Sequence, residues 1–345
     1  MDFSIASILM LDGVTNGAIY ALLALATVLV FAVTRVIFIP QGEFVAYGAL
    51  TMAGFQMGKT PGTAWFLLAM AALVAVLDGV GGLRSRQPMP ALLVKLLRSA
   101  AAPVLIAALA IWAGPRQLPL LGQAVITLAL VTAMGPLVYR LAYEELADAS
   151  VLVLLIVSVG VHFALTGFGL VFFGAEGSRN PSFWDANFNA GPLLLSGQTL
   201  IIIGASAALI VLLWLFFERS LYGKALRATA VNRLGARLMG ISSGAAGRLS
   251  FTMAAFIGAL SGLLISPTTT IFYDSGFVIG LKGFVAAVFA GLSSYPGAAL
   301  GALLVGLLES FSSFWASAFK EVIVFTAILP VLLWRSLRDP HSEEH

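Results

Sequence analysis

The sequence predicts an all-α, polytopic integral membrane helix bundle, a single domain over residues 1–345 with about 8–11 membrane helices, its amino terminus outside and its carboxyl terminus inside. Three observations predict it. Hydrophobic residues make up 60% of the chain and charged residues 10%, with a mean hydropathy of +0.99, so there is too little polar surface to cover a soluble globule. Uncharged or nearly uncharged apolar runs recur that are long enough to cross a bilayer. Basic residues gather in a few stretches beside those runs, the mark of segments held on the cytoplasmic side.

In chain order, residues 5–33 form the first span, carrying Asp12 and Asn16 in its first half, and no Lys or Arg precedes it as the basic region of a cleaved signal peptide would. Pro40 and Gly42 then break the periodicity before a Gly/Ala-rich helix over 44–57. Residues 64–82 form a further span, followed by Arg84, Arg86, Lys95 and Arg98 with no acid among them, a second cytoplasmic signature. Residues 99–113 are marginal in length, either a crossing or a re-entrant segment. Residues 118–139 and 151–173 are spans joined by a short polar loop expected inside. Residues 174–197 carry Trp184, Asn187 and Asn189 with Arg179 as the only base, and read as an external loop suited to an outside partner. Residues 200–217 and 250–266 flank the longest polar interruption, and Gly258 and Gly262 are spaced for close helix approach. Residues 276–292 (spanning or re-entrant), 296–314 and 322–334 complete the bundle, the last kinked at Pro330. Pro40-x-Gly42 and Pro296-Gly297 each precede a Gly/Ala-rich helix, a pattern of broken helices around a central path.

That interruption, residues 218–249, organises the chain. Six of the 19 Lys and Arg lie in it (Arg219, Lys224, Arg227, Arg233, Arg237, Arg248) against the single acid Glu218. Val231, Leu234, Leu238 and Ile241 recur at helical spacing and predict one apolar face, with Arg233 and Arg237 on another. Gly240 ends the helix with a turn back to the membrane. Two readings account for such a helix: one lying on the membrane surface with its arginines near anionic lipid, or one docking a cytoplasmic partner through Arg233, Leu234, Ala236, Arg237, Leu238, Gly240 and Ile241.

Several chemistries are excluded. The chain has no cysteine, which removes disulfides, thiol redox and Cys-ligated metal. His162 is the one histidine outside the tail, too few to assemble a metal site; it is expected to hydrogen-bond within the bundle. Met57-Gly58-Lys59-Thr60 ends like a phosphate loop, but position 53 is Ala where that loop needs Gly. Basic residues form no stripe with interleaved aromatics, so nucleic acid is not a partner. Nothing resembles an enzyme's catalytic site, and no cofactor is expected in this chain. Glu43, Asp78, Lys282 and Glu309 are the ionisable groups nearest to apolar segments and so are candidates for function, Asp78 and Lys282 also reading as span ends. Asn16, Gln41, Gly42 and Glu43 are the candidates for a translocation path; Glu43 either lines it or caps the next helix. No deep cation–anion pair is expected that could hold both ends of a zwitterion.

Three stretches carry a resemblance. Leu221-Tyr222-Gly223-Lys224-Ala225-Leu226-Arg227-Ala228 with Ala236-Arg237-Leu238-Met239-Gly240-Ile241, the opening Asp12-Gly13-Val14-Thr15-Asn16-Gly17-Ala18-Ile19-Tyr20-Ala21-Leu22 with Gly42-Glu43-Phe44 and Tyr47-Gly48-Ala49, and Lys282-Gly283-Phe284-Val285-Ala286-Ala287-Val288 through Gly297-Ala298 resemble LivH-type permeases, membrane subunits of ABC importers for branched-chain amino acids. Where that family has Asn-Phe-Ala-His before Gly-Glu, this chain has Phe38-Ile39-Pro40-Gln41. The resemblance is weakest over residues 80–115, which read as an insertion. It implies a multi-pass protein of the bacterial inner membrane that moves branched-chain or related apolar amino acids into the cytoplasm. It also implies partners: a second, LivM-type permease subunit, two ATP-binding subunits that use ATP and dock on the 218–249 coupling loop, and a soluble extracytoplasmic substrate-binding protein. The competing class is an ion- or proton-coupled secondary transporter of small organic solutes, which needs a relay of buried carboxylates or histidines; a channel is a third.

Overall fold

The computed structural model describes residues 3–86, 88–190 and 193–338. Among them eight helices are long and apolar enough to cross a membrane, making the chain an all-α polytopic membrane protein. The spans are α1 (Phe3–Thr34), α3 (Gly62–Arg84), α4 (Met89–Ala113), α5 (Leu120–Val138, extended by a π turn over Tyr139–Tyr143), α6 (Val151–Phe173), α7 (Gly197–Arg219), α10 (Ser243–Ile265) and α12 (Tyr295–Trp315), with shorter helices α2 (Glu43–Gln56), α8 (Leu221–Val231), α9 (Arg233–Leu238), α11 (Ser275–Phe289), α13 (Lys320–Thr326) and α14 (Ile328–Arg338). One hairpin, β1 (Asn187–Ala190) with β2 (Leu193–Ser196), lies in the 174–197 connection.

α1 and α10 are the central helices, and small residues let their neighbours close on them. α12 runs antiparallel to α1, with Gly13 against Leu307 and Gly17 against Leu303. α2 runs parallel to the second half of α10, Gly48 against Ala259, Gly258 against Phe44 and Gly262 against the carbonyl of Val45. The Gly258–Gly262 spacing therefore does what its pattern predicts. Gly262→Val is expected to destabilise the purified chain by about 1–3 kcal/mol through overpacking. Gly160→Val makes the same chemical change on an open face of α6 and should leave the melting temperature nearly unchanged. Equal melting of both variants would refute the α2–α10 contact.

Two crossings are broken. α1 ends at Thr34, Arg35 takes a left-handed φ of 61°, and residues 35–38 are non-helical before a 3-10 turn over Ile39–Gly42 leads into α2. α11 likewise starts only after the non-helical residues 266–274. Gly42 meets Gly276 and Gly280 backbone to backbone, and Gly283 lies against Leu23 midway along α1. The amino ends of two half-length helices thus converge deep in the bundle, a backbone irregularity tolerated there because protein covers it. The first expected break is found. The second stands before α11, not at Pro296-Gly297, which opens the full-length α12.

Three further expectations are corrected. α4 begins at Met89, so Lys95 and Arg98 belong to a spanning helix, started by the extended Pro88 and by Pro90 in the first turn; residues 99–113 are its second half. α10 begins at Ser243, capped by the Ser242 hydroxyl accepting from Ala245 N at 3.3 Å, so the polar connection after α7 stops at Ser242. The last crossing is interrupted at Ala327 rather than kinked at Pro330, because the proline ring clashes with the carbonyl four residues earlier, at Thr326 where α13 ends.

Candidate functional site

The polar connection 220–242 folds as two helices. Ser220 caps α8 by accepting from Gly223 N at 2.9 Å. Asn232 leaves helical geometry (φ −150°, ψ 99°) and caps α9 through Oδ1, which accepts from Gly235 N at 2.8 Å. The single apolar face expected over 231–241 is therefore split. Leu234 and Leu238 remain neighbours on α9, Val231 ends α8, and Ile241 follows Gly240, whose φ of +84° turns the chain back. Val231, Asn232, Gly235, Ala236, Met239 and Ile241 line a concavity of about 440 Å³ between α8 and α9. Val231, Leu234, Leu238 and Met239 are 87%, 68%, 81% and 83% exposed. Ala236 is buried beneath them. Such a cluster of apolar side chains on a polar connection marks a contact surface.

Arg233 and Arg237 of α9, and Arg248 of α10, are engaged with protein. Arg233 donates to the carbonyl of Ala147 at 3.2 Å, Arg237 to Asp148 at 3.0 Å and to Ser243 at 2.6 Å, and Arg248 to Glu144 at 3.0 Å. They tie this end of α9 and α10 to the α5–α6 connection. Leu226 and Ala246 pack with Leu29 and Val33 at the same end, so α8 is seated against α1 and α10.

At the opposite end, residues 174–196 lie across the bundle. Ser178 pairs with Ile271, Arg179 donates to the Pro267 carbonyl at 2.8 Å, and Asn180 donates to Ala49 O at 2.9 Å and Ser266 Oγ at 2.8 Å. Trp184 and Phe188 form an edge-to-face pair that is nearly half exposed. Below it Asp12, Thr15, Asn16, Glu309, Ser310 and Lys320 line a polar cavity of about 460 Å³.

The other path candidates are at the half-helix joint. Gln41 donates to Ala254 O at 3.0 Å, and Glu43 Oε1 lies 2.9 Å from His162 Nδ1. Both side chains are fully enclosed, and Gln41 Oε1 and Glu43 Oε2 have no hydrogen-bond partner among the described residues. Glu43 is the first residue of α2, where the helix dipole favours a carboxylate. Gln41, Gly42 and Glu43 are thus brought together, with Asn16 in a separate cavity nearer the 174–196 end. His162 does hydrogen-bond within the bundle, while the tail histidines His341 and His345 lie outside the described residues.

A deep cation–anion pair is present, its two charges engaged with one another. Lys282 Nζ lies 2.5 Å from Glu309 Oε1 and 3.1 Å from Glu321 Oε1, and Tyr20 donates to Glu309 Oε2 at 2.5 Å. Lys282 is mid-helix in α11 and 4% exposed, so it is no span-end residue. Asp78, near the end of α3, pairs with Arg140 at 2.7 Å. Among the described residues no group of three His, Cys, Asp or Glu could hold a metal ion.

Residues 9–333 match the family described as the permease component of branched-chain amino acid transport systems. The chain belongs to this family. The permease is 30% identical over 216 residues to the high-affinity branched-chain amino acid transport system permease protein BraD of Pseudomonas aeruginosa, covering 61% of this chain and 70% of that one. It is 26% identical over 346 residues to the LivH permease proteins of Escherichia coli K12 and Salmonella typhimurium, covering 94% of this chain and 92% of each relative. A solved structure, PsaBC from Streptococcus pneumoniae in complex with Fab, aligns over 94% of this chain and 90% of its own with 12% identity and a TM-score of 0.40, too low to support any statement about this fold.

Sequence reasoning located the permease's exposed loop and the Pro-Gly break. It missed the Asn232 break, for which an Asn, a favoured helix-capping residue, inside the periodic run was a usable signal. It also missed the Glu43–His162 and Lys282–Glu309 pairs, which join residues 119 and 27 positions apart and carry no local signature.

Proposed function

We propose that this permease is the transmembrane subunit of an ABC importer in the bacterial inner membrane, moving branched-chain or related apolar amino acids into the cytoplasm. ATP is hydrolysed by two separate ATP-binding subunits that dock on α8 and α9, and a second permease subunit of the LivM type completes the translocating core. The observation that carries this reading is the exposed cluster Val231, Leu234, Leu238 and Met239 on a helix pair braced to the α5–α6 connection and to the start of α10 by Arg233 and Arg237. A surface meant only for lipid would leave its arginines free for headgroups; here they are engaged with protein.

On this reading the α8–α9 end is cytoplasmic, which the basic excess there supports, and the end carrying residues 174–196 and the start of α1 is external. Because the chain has no native cysteine, single cysteines at Ser4 and Ser178 should react with a membrane-impermeant maleimide from outside, and one at Ser243 only after the membrane is opened. Labelling of Ser243 from outside would overturn the arrangement. Ser342, the corresponding position for the carboxyl end, lies outside the described residues.

A soluble binding protein docking over Trp184 and Phe188 is proposed to supply tight selection. The buried charges of the permease are already engaged with one another, Lys282 with Glu309 and Glu43 with His162, so neither pair offers a free charge to a zwitterion. The Gln41–Glu43 segment then serves the path as the joint between two half-helices, with Asn16 lining its outer mouth. Titration calorimetry of the purified permease with leucine, isoleucine and valine should show no micromolar binding, and vesicle uptake should need binding protein and ATP together. Uptake driven by a proton gradient without ATP would favour a secondary transporter, to which the Glu43–His162 pair lends support as a protonatable site.

A further inference from the structure

α4 is held unevenly. Its buried residues Pro103, Ala107, Ala110 and Ala113 lie in the second half, and in the first half only Leu92 is buried, packed against Gly82 of α3. Between that first half and α5 a groove of about 910 Å³ opens, at the upper end of the range for small-molecule sites. Its walls are apolar, among them Val94, Ala102, Ile106, Ala129, Leu137 and Phe256. Its mouth, at the α8–α9 end, is lined by four cations, Lys95, Arg98, Arg140 and Arg248, against the single carboxylate Asp78.

Two of these cations are already engaged. Arg140 is shared by Asp78 (2.7 Å), Glu145 (3.3 Å) and Glu144 (3.8 Å), and Arg248 is bound by Glu144 at 3.0 Å. Lys95 is left with a 3.5 Å approach to the Asp78 oxygen that Arg140 already holds, and its side chain is 53% exposed. Arg98, one turn further along α4, has no ion-pair partner among the described residues. A Lys that shares its one carboxylate and an unpaired Arg at the mouth of an apolar slot between membrane helices match a ligand with an anionic head and a hydrocarbon body.

We propose that this groove is a binding site for an anionic phospholipid, its phosphate held between Lys95 and Arg98 and one acyl chain lying along the α4–α5 wall. The inference is independent of the transport reading, since it rests on the groove alone. A basic pocket between membrane helices at the level of the headgroups is the recurrent chemistry for such lipids.

The test is native mass spectrometry of the full chain, solubilised in detergent and incubated with phosphatidylglycerol or with phosphatidylcholine of the same acyl chains. Preferential retention of phosphatidylglycerol is expected, and Lys95→Gln with Arg98→Gln should lower that retention about 30-fold, the effect of removing two basic residues near an anionic surface. Ala102→Trp, which fills the slot and keeps both cations, should also lower it, whereas Arg116→Gln at the far end of α4 should not. Equal retention of the two lipids, an unaltered preference in the double variant, or displacement by excess inorganic phosphate would overturn the proposal. A disulfide-linked dimer formed through Ala102→Cys in the membrane would overturn it too, by showing that a second copy fills the groove.

Discussion

Leu238→Asp is expected to abolish ATPase association while leaving the permease inserted and folded. Leu238 is 81% exposed on α9, so the substitution costs the free chain almost nothing. In the docked complex the carboxylate would be buried without a partner, a loss of about 3–5 kcal/mol, equivalent to a hundredfold or more in affinity. Co-purification of tagged ATP-binding subunits from solubilised membranes measures it, with the permease's own melting temperature as the folding control. Leu234→Asp should act alike, because the two side chains are one turn apart. Ala236→Asp should instead unfold α9, since Ala236 is buried between that helix and the bundle. If Leu238→Asp keeps its ATPases and transports normally, α9 is a membrane-surface helix and the coupling surface lies elsewhere.

Lys282→Met is expected to have the larger effect on the permease itself. Removing the ammonium leaves Glu309 facing Glu321 across α11, α12 and α13 with only the Tyr20 hydroxyl to share, and an uncompensated buried charge costs about 3–5 kcal/mol. The double variant Lys282→Met with Glu309→Gln removes that charge and should recover much of the loss. Thermal unfolding of the two purified proteins in the same detergent gives the comparison. Wild-type melting of Lys282→Met would show that the cluster contributes nothing to holding α11 between α1 and α12.

The two variants probe features of different legibility. α9 could be found from the chain alone: six basic residues against one acid and apolar residues at helical spacing are local facts. Its surroundings could not. That Arg233 and Arg237 reach Ala147 and Asp148, 86 and 89 positions away, follows from the docking of α5 beside α10. Glycine spacing announced that α10 would be closely approached, and the structure shows that α2 is the helix that does so. Pro40 and Gly42 announced one broken crossing, but its companion before α11 has no comparable signal. There the chain before the helix is held by distant residues, Ile271 pairing with Ser178 and the Pro267 carbonyl accepting from Arg179.

By itself the sequence determined the membrane class, six of the eight spans to within a few residues, the polar connection that leaves the bundle and the absence of thiol chemistry, because hydropathy, charge and residue type are local quantities that water and lipid read directly. The tertiary structure alone decided which charges are buried together and which helices stop halfway. Inside a bundle a Lys or Glu persists only where another element supplies its counter-charge, and a backbone break persists only where another chain segment covers it. Lys282 with Glu309, His162 with Glu43 and Gly42 with Gly276 are pairings of that kind, each set by how α1, α2, α6, α10, α11 and α12 pack rather than by the residues beside it.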